Sequence, residues 1–424
     1  MKKVLLALLQ IVLLCPVYPL SAQTLEECQR AAEKNYPLIQ RFDLIRKTSE
    51  FTVANLQKGW LPQLGVSAQA TYQSDVTAWP DEMQTLMQQM GVSIAGLRRD
   101  QYRLGIDLQQ TVYDGGTIGW QKEMARRQAE LQVAQTEVSL YGVRKRVNEM
   151  YFGLLLLEAQ LQLKQNMQQQ LATNEQKLKN MAEHGTAAES DHLAVRAERL
   201  NVDQQLTSLE AQCNTLRRML SVFCGLEVKE VVRPRVPVAA PSLRPELKAI
   251  DAQLKLTEAQ EGALNSALRP KLGVFAQGYY GYPGLNMFDD MMNHRWSLNA
   301  IVGARLTWNF GALYTHKNDK AKLQLQRRMA ENERALFLFN NGLEQVQQSE
   351  DIARYQRLMA DDEEIIALRQ SVRKAAESKL SHGIIDVNDL VREINQENAA
   401  RVQHSVHEIE MLKEMYDLKF TRDE

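Results

Sequence analysis

Residues 295–309 read RWSLNAIVGARLTWN. Trp296, Leu298, Ala300, Val302, Ala304, Leu306 and Trp308 alternate with a mostly polar set that carries Arg295, Asn299, Arg305 and Asn309. Alternation with period 2 puts the apolar set on one face of a β-strand. Two other segments repeat the pattern. In 64–73, Leu64, Val66, Ala68, Ala70 and Tyr72 alternate with small or polar residues, and in 102–109 so do Tyr102, Leu104, Ile106 and Leu108. A fourth, 271–282, is weaker, because Phe275 and Tyr279 fall among its polar positions. Each is near the length of a tilted transmembrane strand. Aromatics at the ends (Trp60, Tyr72, Tyr113, Tyr280, Trp296, Trp308) suit an interfacial girdle.

Outward from these segments the period changes. The prolines fall at 16, 19, 37, 62, 80, 234, 237, 241, 245, 270 and 283, so none interrupts 81–233 or the chain after 283. Proline breaks helix interiors, and its absence leaves both stretches free to hold long helices. Leu140, Val143, Val147, Met150, Leu154, Leu157 and Leu161 are spaced 3,4,3,4,3,4. Leu206, Leu209, Cys213, Leu216 and Leu220 follow 3,4,3,4, and Ile365, Leu368, Val372 and Ala375 follow 3,4,3. These are coiled-coil seams, and Cys213 reads as a small seam residue.

The order of elements occurs twice. One half runs helix (24–58), strand, strand, long helix (117–183), turn, helix (189–222). The other runs helix (245–267), strand, strand, long helix (313–381), turn, helix (386–420). Leu61-Pro62 matches Arg269-Pro270, Gly115 matches Gly311, His184-Gly185 matches His382-Gly383, and Asp191 matches Asp389. The expected division is a leader (1–22), a first structural repeat (23–224), a proline-rich linker (225–245) and a second repeat (246–424).

Such helices reach roughly 100 Å at 1.5 Å per residue and cannot wrap a compact core. Four strands cannot close a barrel, and an open edge in lipid leaves backbone groups unsatisfied. The chain is therefore expected to pool its strands with those of other copies. Two copies give a narrow barrel, and three give twelve strands and a wider lumen.

Lys2 and Lys3, the apolar run Val4 to Leu14 and the small residues Ser21-Ala22 read as a secretory leader cleaved before Gln23. The whole chain of 424 residues carries a net charge of −1, which gives no support to nucleic-acid binding. After cleavage Cys28, Cys213 and Cys224 remain, an odd number with no CxxC pair, so neither a disulfide framework nor a zinc site is indicated. No catalytic residues, metal site or cofactor is expected. His404 and His407 stand at i, i+3 and read as surface histidines, because no further ligands have suitable spacing. Gly115-Gly116 lacks the lysine and hydroxyl of a phosphate loop and reads as a plain turn.

The order helix–strand–strand–helix–helix, twice over, resembles the TolC-type outer-membrane efflux and secretion channels. So do Asn35-Tyr36-Pro37, Trp60-Leu61-Pro62, Tyr113-Asp114-Gly115-Gly116 and Arg244-Pro245-Glu246-Leu247. The resemblance covers essentially all of the chain after the leader. It implies a mixed α and β fold: a long helical coiled-coil barrel plus four transmembrane strands per chain, completed as a twelve-strand barrel in a homotrimer. It implies an outer-membrane location, with the helical tunnel in the periplasm. The implied role is the exit duct of a tripartite efflux or type I secretion system, partnered by a periplasmic adaptor, an inner-membrane pump and outer-membrane lipid. By the same resemblance, His184-Gly185-Thr186 and His382-Gly383-Ile384 form adaptor-docking tips. Asp389 matches an aspartate that lines the closed entrance of such channels. Arg392 stands where a second acidic ring would be, which puts the charge of the gate outside the family's pattern. The competing reading is a periplasmic adaptor, which needs one helical hairpin flanked by small β-domains.

Overall fold

The computed structural model describes residues 23–92, 96–186, 188–237 and 244–422. The expected leader and the middle of the linker lie outside the described residues. The chain forms two compact units, and each draws on both halves of the sequence. One takes the chain up to Arg41 with Thr136–Leu247 and Ala335–Glu424; the other takes Phe42–Gln135 and Lys248–Arg334.

The second unit holds the strands β1 (Gln63–Tyr72), β2 (Asp100–Tyr113), β3 (Lys271–Tyr282) and β4 (Ser297–Thr307). They pair antiparallel in the order β1-β2-β3-β4, so the sheet is open and β1 and β4 are its edges. The register sets Val66 beside Ile106, Leu104 beside Tyr280, and Ala276 beside Val302, so apolar positions share one face across all four strands. That face is bare: Val66 is 74% exposed, Leu298 81% and Val302 80%. No helix among the described residues is long and apolar enough to cross a membrane.

Two short helices that strand alternation does not announce lie in the strand connections. They are α3 (Asp81–Gln89) and α7 (Met287–Asn293). Leu97, Tyr282 and Met291 form a small core there, with Val76, Trp79 and Met87 against it. At the end of β2, Asp114 turns the chain into the helix α4 (Thr117–Glu183). Its carboxylate accepts from Gly116 N–H at 2.8 Å and Ile118 N–H at 2.5 Å. Gly115 sits at φ 71°, and a Cβ on it would fall 2.9 Å from that of Arg269. The Asp-Gly-Gly run is thus a helix cap joined to a left-handed turn.

The first unit is helical. The helix expected over 24–58 is interrupted. α1 (Leu25–Asn35) ends at Tyr36, a 3-10 turn covers Pro37–Ile39, and α2 (Gln40–Gln57) follows. Proline disfavours the helical region for the residue before it, and Tyr36 is extended at ψ 127°. α5 (Glu189–Cys224) returns along α4, and α9 (Val387–Thr421) along α8 (Ala312–Ser381). α6 (Pro245–Ser266) opens on Arg244, whose buried guanidinium pairs with Glu246 and donates to the Phe420 carbonyl at 2.8 Å.

The seams separate into two kinds. Val143, Val147, Leu154, Cys213 and Leu220 are buried in one core with α1 and with Ile409, Leu412 and Tyr416 of α9. A second core joins Leu171, Leu178, Val195 and Val202 to Val387, Leu390 and Ile394. The seam expected at Ile365, Leu368 and Val372 is exposed instead. Leu336, Phe339, Leu343 and Val346 carry the same 3,4,3 spacing on α8 and are exposed too. A heptad stripe left exposed among the described residues suits another helix.

Candidate functional sites at the hairpin tips and the strand face

Each hairpin turns on a glycine that needs a left-handed backbone. Gly185 lies at φ 74° and Gly383 at φ 68°, and a Cβ on either would meet nothing within 4 Å. The demand is therefore on the dihedral alone. Gly185 N–H donates to Ala182 O at 2.9 Å and Thr186 N–H to Met181 O at 2.8 Å. Gly383 N–H donates to Leu380 O, and Ile384 N–H to Lys379 O, both at 2.9 Å. This is the Schellman closure of a helix end. His184 Nδ1 lies 2.6 Å from Asn180 O and His382 Nδ1 2.7 Å from Ser378 O, so each histidine covers one more terminal carbonyl. Thr186 Oγ1 donates to Met181 O at 3.0 Å. Ile384 has no such bond to offer and leaves an apolar side chain in solvent.

α9 begins with Asp386, whose side chain accepts from Asp389 N–H at 2.9 Å. Asp389 is thereby held in the first turn, half-buried beside the buried Val387 and Leu390. Arg392 Nη2 reaches Asp389 Oδ1 at 3.0 Å, and its Nε lies 3.8 Å from Glu393. The two expected gate residues therefore form an ion pair within one helix turn. A lone carboxylate does not stand there.

Two clusters lie further along the same hairpin; spacing gives no sign of the first and misjudges the second. Glu397, only 4% exposed, is clamped by Arg373 from α8 and by Arg401 at 2.8 Å. Burial alone would raise its carboxyl, but hydrogen bonds and charge from Arg401 and Arg373 hold it below the ordinary range. His407, read from sequence as a surface histidine, is 9% exposed. Its Nδ1 lies 2.6 Å from Asp362 of α8, with His404 Nδ1 3.7 Å from the same carboxylate. His407 occupies an inward position of the hairpin, where its neighbour helix supplies an acid. Among the described residues no group of three or more His, Cys, Asp or Glu is arranged to hold a metal.

The polar face of the sheet explains the weak alternation of β3. Phe275 and Tyr279 lie on that face as platforms for arginine. The Arg103 guanidinium sits 3.8 Å from the Tyr279 ring centre, and that of Arg305 5.0 Å from Phe275. Asp107 accepts from Ser67 at 3.1 Å and from Gln277 at 2.8 Å. One face is thus charged and hydrogen-bonded, while the other is apolar but for Gln110 beside Val274. That division suits a wall between water and lipid.

Residues 30–225 match the family described as Outer membrane efflux protein. No curated protein matches the sequence. The fold is similar to that of several solved outer-membrane proteins, channels among them. VceC of Vibrio cholerae is 12% identical with a TM-score of 0.66, over 94% of this chain and 96% of that one. MtrE of Neisseria gonorrhoeae, in its open state, is 12% identical with a TM-score of 0.66, over 94% and 88%. CmeC of Campylobacter jejuni is 11% identical with a TM-score of 0.65, over 94% and 85%.

Proposed function

We propose that this chain is an outer membrane efflux protein of the TolC type, as the family match and the fold support, and that it works as one third of a homotrimeric exit duct. The observation that carries this reading is the open sheet with one apolar, exposed face and two unpaired edges. An edge in lipid leaves N–H and C=O groups without partners, and barrel closure is the remedy. Three copies make a twelve-strand barrel. The exposed stripe Leu336, Phe339, Leu343 and Val346 on α8 supports the same reading, because it offers a seam for a neighbouring copy.

The hairpin tips at Gly185 and Gly383 then meet a periplasmic adaptor, which links the duct to an inner-membrane pump. The duct conducts passively, and the pump supplies the energy, in a tripartite efflux or type I secretion system. The adaptor reading has less support, since the chain has two hairpins and a membrane-suited sheet.

The test is crosslinking and native mass measurement of the protein from outer-membrane fractions. A heat-sensitive trimer is the expected outcome. A stable monomer in detergent that keeps its β-signal would overturn the proposal.

A further inference from the structure

α1 sets Leu25, Cys28 and Ala32 at successive turns of one face, and none of the three has exposed surface. Cys28 thereby faces the end of α5, where Cys224 is the last helical residue and is buried as well. The Cys224 thiol lies 3.4 Å from the Cys28 carbonyl oxygen and donates to it. The backbones are held close from the other side too. Asn35 Nδ2 donates to Val222 O and Phe223 O, each at 3.2 Å. Gly225 takes φ 67°, and a Cβ on it would fall 2.5 Å from Asn35 Cγ. Two thiols are thus enclosed together, at a junction where helix ends are clamped by independent contacts.

Their environments are unequal. The Cys224 thiol, together with burial, pushes the Cys28 thiol well above the ordinary range, while the bond from Cys28 lowers Cys224. Cys213 lies in the same core, and burial raises its thiol. Among the described residues it has no cysteine beside it. An outer-membrane protein passes through an oxidising compartment, where a thiol pair in contact is converted and stays converted.

We infer that Cys28 and Cys224 are joined as a disulfide in the exported protein, tying α1 to the end of the first hairpin. The oxidant is a protein disulfide of the cell envelope. The thiolate of one of the two cysteines attacks one of its sulfurs and expels the other as a thiolate. The other cysteine then loses its proton and attacks the protein sulfur of the mixed disulfide, expelling the oxidant's second thiolate. Two electrons and the two cysteine protons pass to the oxidant, which leaves as a dithiol. Both sulfurs are enclosed in the folded chain, so the exchange takes place before α1 docks.

Cells are quenched in acid to freeze thiol exchange. The protein is then denatured and alkylated without reductant, and its peptides are mapped by mass. The expected result is label on Cys213 alone and a crosslinked pair of peptides holding Cys28 and Cys224, which separates on reduction. A Cys28→Ser variant should yield label on both Cys213 and Cys224 and no crosslinked pair. The wild-type map does not depend on that variant folding. Label on all three cysteines of the acid-quenched wild type, or a crosslink through Cys213, would overturn the inference.

Discussion

The two hairpins carry opposite charges at matching places. In the register that aligns His184 with His382 and Asp191 with Asp389, Glu175, Arg199 and Asp203 align with Arg373, Glu397 and Arg401. In the first hairpin Arg199 is the centre, 2.6 Å from Glu175 across the hairpin and 3.5 Å from Asp203 one turn on. In the second Glu397 is the centre, with Arg373 across and Arg401 one turn on at 2.8 Å. The seating is the same and every sign is reversed. What the two share is complementarity across the helix pair. The consequences differ, because an arginine carries its charge out on a long stem. Arg199 keeps 26% of its side chain exposed, whereas Glu397 keeps 5%.

That contrast sets the largest expected effect. Glu397→Ala removes the charge seated between two arginines and leaves the mostly buried Arg373 with Glu377 at its side. Loss of one partner of a buried pair costs about 3–5 kcal/mol. Arg199→Ala, in the better-hydrated triad, should cost about 1–2 kcal/mol. Opening free energies from hydrogen exchange in α9 and α5 measure the two. Equal losses would erase the distinction between the hairpins.

Acid gives a second, smaller separation. The folded Glu397 carboxyl titrates below its ordinary value. Its contribution is therefore complete above the unfolded pKa, about 4.3, and is lost as pH falls through the folded value. Exchange protection of α9 around Glu397 should drop in that window, after correction for intrinsic rates. Glu397→Gln should start lower and show no such step. A step that persists in the variant would assign the acid sensitivity to another group.

The sequence shows periodicity well and direction poorly. Strand alternation at 295–309 and the seam at Leu140–Leu161 are short-range patterns, so both are readable from spacing alone. Leu154 and Leu368 sit in seams of equal regularity, yet one is buried and the other exposed. Which of them finds a partner within the chain depends on tertiary arrangement, which spacing does not encode. Pro37 was a visible signal for the break between α1 and α2, and the extended backbone at Tyr36 follows from it. α3 and α7 span about two turns each, too few for a helical period to stand out. His404 and His407 could have been recognised as inward residues. The register that aligns the two tips places them on Leu206 and Leu209, both seam positions. At the tips the glycines and their dihedral role were legible. The Asp389–Arg392 pair was legible only as an option, because rotamers decide it.

The helix starts offer a sharper comparison. Asp386 caps α9 through Asp389 N–H, but Ala188 stands at the equivalent start of α5 with no side chain to accept, although its backbone is extended as a cap requires. Asp386→Ala should cost about 1 kcal/mol in the first turn of α9, and Ala188→Asp should gain up to about that much in α5. Exchange of the amides at Asp389 and Asp191 reads both. An Ala188→Asp variant with no added protection would mean that the α5 turn already satisfies its donors by other means.

The smallest effect bears on the proposed gate. Were three copies of Asp389 to line a narrow mouth, they would favour cations, and low-dielectric walls would strengthen that preference. Arg392 would oppose it, since its guanidinium sits 3.0 Å from the carboxylate and offsets its charge. The pair is well hydrated, at 64% and 39% side-chain exposure. Such a pair is worth under about 1 kcal/mol, so the shift in the ratio of cation to anion permeability should stay within roughly a few-fold. Asp389→Asn should move planar-bilayer selectivity towards anions, because Arg392 then keeps only the more distant Glu393 at 3.8 Å. Arg392→Gln should move it towards cations by a similar factor. Asp191→Asn is the control from the first hairpin, which has Ile-free polar closure at Thr186 and lacks the capping aspartate. It should leave selectivity unchanged in trimers that assemble normally. Should Asp389→Asn and Arg392→Gln both leave selectivity where Asp191→Asn leaves it, the pair is an ordinary solvated contact of the helix start, and the constriction lies elsewhere in the duct.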